Sequence, residues 1–179
     1  MTTANRPSSL NLVFNQPEDR LLLIVNDAKG PQDALFLTRR LTALFINGAA
    51  GLLTRSNAMA SNVTDEVRNE ILLMEHQGAL PGDASSAKKS SASKSEGEEE
   101  KRRHKIAPKL VNSISIKTNP QNFEIILRTK APEPRSIALN RRDLHRVLEL
   151  LKKKSEDAGW NLQIDVSWLD TGMTQLTLN

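Results

Sequence analysis

A chain that runs through the same order of elements twice has few folds open to it, because each copy must bury its apolar face in a matching way. Residues 10–53 read as an apolar strand, a turn at Asn15-Gln16-Pro17-Glu18-Asp19, the continuous apolar strand Leu21-Leu22-Leu23-Ile24-Val25 and, after the loop Lys29-Gly30-Pro31, a short strand ending Ala34-Leu35-Phe36-Leu37. Thr38, a good N-cap residue, then opens a helix with Arg39-Arg40. Residues 114–158 repeat that order: Ile114-Ser115-Ile116, a turn at Asn119-Pro120-Gln121-Asn122, Phe123 to Leu127, a proline-bounded loop, Ser136-Ile137-Ala138-Leu139, then Asn140-Arg141-Arg142 and a helix. Leu35/Leu37 match Ile137/Leu139 and Arg39-Arg40 match Arg141-Arg142 at one constant offset, whereas the helix stripes read from the sequence slip by one residue at Asp143.

The predicted fold class is therefore α+β: two β-β-β-α-like halves from an internal duplication, with antiparallel sheets, separated by a disordered linker. The N-terminal half covers 1–78 as β-β-β-α-α, the linker 79–109, and the C-terminal half 110–179 as β-β-β-α-β-β. In the first helix Leu41, Leu44, Phe45, Gly48 and Leu52 recur at helical spacing, and Val67, Ile71 and Met74 mark one face of a second helix. The stripe of the C-terminal helix is Leu144, Val147, Leu148 and Leu151, with Gly159 as its stop signal. Leu162, Ile164, Val166 and Trp168 alternate with polar residues and read as a strand, followed by a turn at Asp170-Thr171-Gly172 and a last strand over 174–178.

Between the halves, Ser, Ala, Lys and Glu dominate, and such a segment buries too little apolar surface to offset its ordering entropy. The formal charge of +4 divides unevenly: residues 79–109 hold eight of the 25 basic and five of the 21 acidic residues, which leaves 17 against 16 elsewhere. Positive charge is thus largely a property of the linker, where Lys101-Arg102-Arg103-His104-Lys105 abuts Glu98-Glu99-Glu100. The absence of cysteine excludes disulfides, thiolate ligands and thiol nucleophiles. The N-terminus lacks the apolar run of a secretory signal, and Leu41 to Leu53 is too short to span a bilayer, so a cytoplasmic protein without a membrane span is expected.

Two constellations stand out. Arg39, Arg40, Arg141 and Arg142 sit in first helical turns, where free backbone N–H groups attract anions, and Arg146 lies one turn beyond Arg142, so these five are the candidate anion-binding residues. The same arginines would be equally at home in water or paired with acids such as Asp33 and Asp143. Gly48 and Gly51, with alanines between them, form a smooth patch and are the candidate interface residues for another helix or a second copy. His76, His104 and His145 show no metal-ligand interval, and no nucleophile elbow, Walker loop or dinucleotide fingerprint occurs. No catalytic residue, cofactor or metal is assigned. The function expected is a non-catalytic protein-interaction or assembly module, with a protein partner or self-association; the alternative is a nucleic-acid or polyanion binder using the paired arginines and the basic linker run.

Overall fold

The computed structural model describes residues 6–28, 33–80 and 106–170. Within them the chain is α+β, with one mainly antiparallel sheet in each half, as the sequence predicts. The first half contains β1 (Ser9–Asn15), β2 (Arg20–Asn26), β3 (Asp33–Leu37), α1 (Arg39–Arg55), a single 3-10 turn (Ala58–Ala60) and α2 (Asp65–Ala79). The second contains β4 (Lys109–Leu110), β5 (Ser113–Thr118), β6 (Phe123–Arg128), β7 (Arg135–Leu139), α3 (Arg141–Asp157) and the short α4 (Ser167–Asp170). The linker predicted over 79–109 lies outside the described residues for 81–105; at its margins Ala79 closes α2 and Lys109 pairs with β3.

The duplication holds at the level of register. Antiparallel partners Leu21↔Leu37, Leu23↔Leu35 and Val25↔Asp33 in the first sheet have counterparts Phe123↔Leu139, Ile125↔Ile137 and Leu127↔Arg135 in the second. Each first strand pairs with its second in the same way, Leu10 opposite Val25 and Ile114 opposite Leu127. The ladder ends also match: Ser8 N–H donates to Asn26 C=O at 2.7 Å, and Asn112 N–H to Arg128 C=O at 2.7 Å. Both helices are 17 residues long and capped by the equivalent residue, Thr38 Oγ1 accepting from Leu41 N–H and Asn140 Oδ1 from Asp143 N–H. β4 is an addition to the first sheet: Lys109 and Leu110 lie parallel to β3, so the sheets are antiparallel except at that edge.

The helix stripes do not slip. α1 buries Thr42, Ile46, Ala49 and Leu53, and α3 buries Leu144, Leu148, Leu151 and Ser155 at the same offset as the strands. Apolar residues surround most of α1, so periodicity alone could not choose its inner face: of the predicted stripe Phe45 is buried, whereas Leu41, Leu44, Gly48 and Leu52 lie on the outer side. The same correction applies to α2, whose buried residues are Leu72, His76 and Ala79, while Val67 and Met74 are exposed.

The copies interlock. α1 packs on α3 and reaches β5 of the second sheet, while α3 packs on β1 of the first, and α2 crosses to α3. Leu10, Leu12 and Leu23 from one sheet and Ile114, Ile125 and Leu127 from the other line one void of about 30 Å³, so the two sheets share a single core. α3 ends as its sequence predicts. Gly159 takes φ +69°, its N–H donates to Glu156 C=O at 2.9 Å, and Trp160 N–H donates to Ser155 C=O at 2.8 Å, the paired bonds of a left-handed helix terminus.

Residues 161–166 are not a strand. They run beside α1, whose side chains satisfy part of their backbone: Asn47 Nδ2 donates to Gln163 C=O at 3.0 Å, Asp165 N–H donates to Asn47 Oδ1 at 3.0 Å, and Arg39 Nη2 reaches Asn161 C=O at 3.5 Å. The alternation is real, but it seats side chains on helices, and Trp168 falls in α4. The strand predicted over 174–178 lies outside the described residues.

Candidate functional site

The densest set of titratable groups forms where α2 meets α3. The packing of α2 on α3, with Leu72, Ala79, Leu144 and Leu148 buried, also draws in His76 and His145, 5 % and 0 % exposed. Their Nδ1 atoms lie 3.2 Å apart, and His76 Nε2 is 3.2 Å from Glu149 Oε2. His145 Nε2 lies 3.5 Å from Glu75 Oε1, within ion-pair range but outside hydrogen-bond geometry, and is a buried nitrogen without a hydrogen-bond partner among the described residues. The Trp168 ring closes over both imidazoles, with centroids 5.6 Å from each.

Donor and acceptor logic assigns the protons. An ionised Glu149 only accepts, so His76 Nε2 carries hydrogen, and across the 3.2 Å gap one Nδ1 donates and the other accepts. Burial pushes the His145 pKa from 6.5 down to about 4, against the pull of Glu75 and with help from the nearby His76 and Arg141 charges. Burial would raise the Glu75 carboxyl, but hydrogen bonds and charge from Arg141, with His145 and Asn57, hold it below its ordinary value. Glu149 is also held low, first by its bond to His76, against burial and with help from Lys152 and Lys153.

Arg141, an anion-site candidate, is the outer seal of this cluster. Its Nε pairs with Glu75 Oε1, Nη2 donates to Glu75 Oε2 at 3.0 Å and to Leu53 C=O at 2.8 Å, and Nη1 donates to Ser56 Oγ at 2.7 Å. Every guanidinium nitrogen is used. Ser56 Oγ thereby accepts from a cation and donates to Leu53 C=O at 3.4 Å. Outside Glu75 and Arg141 opens a cleft of about 640 Å³ walled by Met59, Ile71 and Met74.

The remaining candidates are spread apart in role. Arg146 Nε donates to Ala79 C=O at 2.8 Å, and its Nη1 lies 3.8 Å from Asp143. Arg39 reaches Asn161, while Arg40 and Arg142 are exposed and make no hydrogen bond or ion pair with another described residue. A Cβ added at Gly48 would meet nothing within 4 Å, and at Gly51 only the Arg55 guanidinium, at 3.3 Å, so neither glycine admits a close helix or strand among the described residues.

Sequence reasoning missed a groove of about 800 Å³ between α1 and the β4–β5 segment. Its helix wall is the outer stripe Leu41, Leu44 and Leu52; its strand wall includes Leu110, Ile114 and Ile116. Leu44 is 57 % exposed. The repeat itself supplies the signal that would have found it. At the positions where α1 carries Leu41, Leu44 and Leu52, α3 carries Asp143, Arg146 and Lys154. Across the matching gap of the other copy, Arg6 closes onto Asp143 at 2.9 Å; the residues equivalent to that salt bridge are Leu110 and Leu41.

No group of three or more His, Cys, Asp or Glu among the described residues is arranged to hold a metal ion, and no described helix is long and apolar enough to cross a membrane. The chain matches no family model, no curated protein and no solved structure.

Proposed function

We propose that this chain is a non-catalytic protein-interaction and assembly module whose binding face is the groove between α1 and β4–β5. The observation that carries this reading is the asymmetry of the repeat. The two helices fill equivalent places and bury equivalent positions, so the architecture itself does not require leucine at 41, 44 and 52; α3 meets the same demands with Asp143, Arg146 and Lys154 there. Exposed leucines lining an open groove mark surface that a partner covers.

The histidine cluster supports a structural role: it is closed by Arg141 and Trp168, and its two imidazoles are directed at each other and at carboxylates. The polyanion alternative draws little support, because Arg141 and Arg146 spend their donors on Glu75, Ser56 and backbone carbonyls.

A photo-crosslinking side chain at position 44, compared with one at the equivalent position 146, tests this in the native host. Crosslinking to a discrete protein from 44 and not from 146 is expected. Equal yields from both positions, or none from either, would remove the groove as the binding face.

A further inference from the structure

We infer that the groove takes an extended, acidic and apolar segment of a partner protein, added as a further strand along the outer edge of β5 with its apolar side chains against α1. This rests on the groove being the binding face proposed above. Three independent features of the groove specify the partner.

The first is backbone. Among the described residues the second sheet has the order β5-β6-β7, so β5 is its edge strand there, with one row of N–H and C=O groups not used by β6. It forms one wall of the groove, and α1 forms the other. A gap between an edge strand and a helix suits strand addition, where main-chain bonds give affinity and alternate side chains enter the gap.

The second is apolar periodicity. An added strand would present every second side chain to one face. That face meets Leu41, Leu44 and Leu52 on the helix, and it continues the row begun by Ile114 and Ile116 on β5. Ile116 remains half-buried, whereas its counterpart Leu12 in the other copy is 6 % exposed, so the second sheet is less completely covered at this edge.

The third is charge. The residues lining the groove include Arg40 and Arg55 and no carboxylate. Neither arginine makes an ion pair or hydrogen bond with another described residue. They stand 15 residues apart on the helix, about 22 Å along its axis. An extended chain covers that span in six or seven residues at about 3.3 Å each. The fitted ligand is therefore a short strand with alternating apolar residues and a carboxylate near each end, about six or seven positions apart.

Selection from a displayed library of random dodecapeptides on the full chain identifies the preferred sequence, and anisotropy of the labelled winner then measures its affinity for the wild type, for Leu44→Glu and for the Arg40→Glu/Arg55→Glu double variant. All three positions are exposed, and thermal melts verify that both variants fold. Expected are winners with Asp or Glu at the stated spacing around alternating apolar residues, a loss of at least about tenfold in each variant, and new amide-exchange protection on alternate residues of β5. Winners without acidic enrichment that still depend on Leu44 would overturn the acidic segment and leave the groove as the binding face. Binding that depends on Leu44 without protection of β5 would overturn strand addition. Concentration-dependent dimerisation abolished by Leu44→Glu would seat a second copy there and overturn the inference while preserving an assembly role. Peptides indifferent to Leu44→Glu would overturn the groove reading itself.

Discussion

Acidification should destabilise this protein before its carboxylates titrate, and His145 should be the reason. In the folded chain its pKa is lowered from 6.5 to about 4, because protonation would bury a cation at a fully enclosed site beside Arg141. An unfolded chain accepts the proton near the ordinary value. Between those two values the unfolded state binds more protons, so stability is complete above pH 6.5 and is lost as pH falls toward 4. The full effect is about 3 kcal/mol, and about 2 kcal/mol of it is spent by about pH 5. For a chain of this size that corresponds to a fall in melting temperature of about 4–8 °C. Glu75 and Glu149 act in a separate window: their lowered pKa values contribute stability above their unfolded values that is lost further down the scale. Urea denaturation of the wild type and of His145→Gln at about pH 7.5, 6 and 5 isolates the histidine, since the variant keeps both carboxylates. The wild type should lose about 2 kcal/mol more than the variant across that range. Parallel slopes for the two proteins would refute the assignment of a neutral His145 facing Glu75.

Three further outcomes follow from the repeat and its interlocked core. Thr38→Ala and Asn140→Ala each remove the side-chain acceptor of an equivalent helix start and should each cost about 1 kcal/mol in urea denaturation. Leu53→Ala, on the inner face of α1, should cost about 2–5 kcal/mol, whereas Leu44→Ala on the outer face should stay within about 0.5 kcal/mol; similar costs at both sites would refute the face assignment. Residues 1–80 and 106–179 produced as separate polypeptides should co-purify and melt cooperatively together, and either one alone should give no cooperative transition, because each half's helix covers the other half's sheet.

Strand order and helix starts were legible in the sequence because they depend on local signals: turn residues at 119–122, caps at Thr38 and Asn140, Gly159 at a helix end. The inner faces of α1 and α2 were not. Both helices have two apolar sides, and only the partner element decides which is buried; the one-residue slip inferred at Asp143 came from comparing the outer stripe of α1 with the inner stripe of α3. Residues 161–166 misled for a related reason, since alternation records which side chains are covered and carries no information about whether a strand or Asn47 satisfies the backbone. The pairing of His76 with His145 joins residues 69 positions apart and has no local signature. What could have been noticed is that His145 adjoins Leu144 on a stripe continuing through Leu148 and Leu151, a position where burial of a polar ring is expected to demand a partner.

The two copies differ at most aligned positions, and several of these differences have a local chemical consequence. In the second copy Asp143 and Arg146 make the outer face of α3 polar; Asp143 pairs with Arg6, and Arg146 grips the carbonyl that ends α2. His145 stands where α1 carries Ala43, and with it α3 recruits His76 and Glu75 from α2 through a bond network that involves both halves. Charge at one copy is therefore consumed in holding the halves together. The first copy, freed of that task, has leucine at the same outward positions and, beside them, Arg40 and Arg55, which pair with no other described residue. Joining the halves needs only one of the two equivalent faces, and the duplication leaves the other available for a partner.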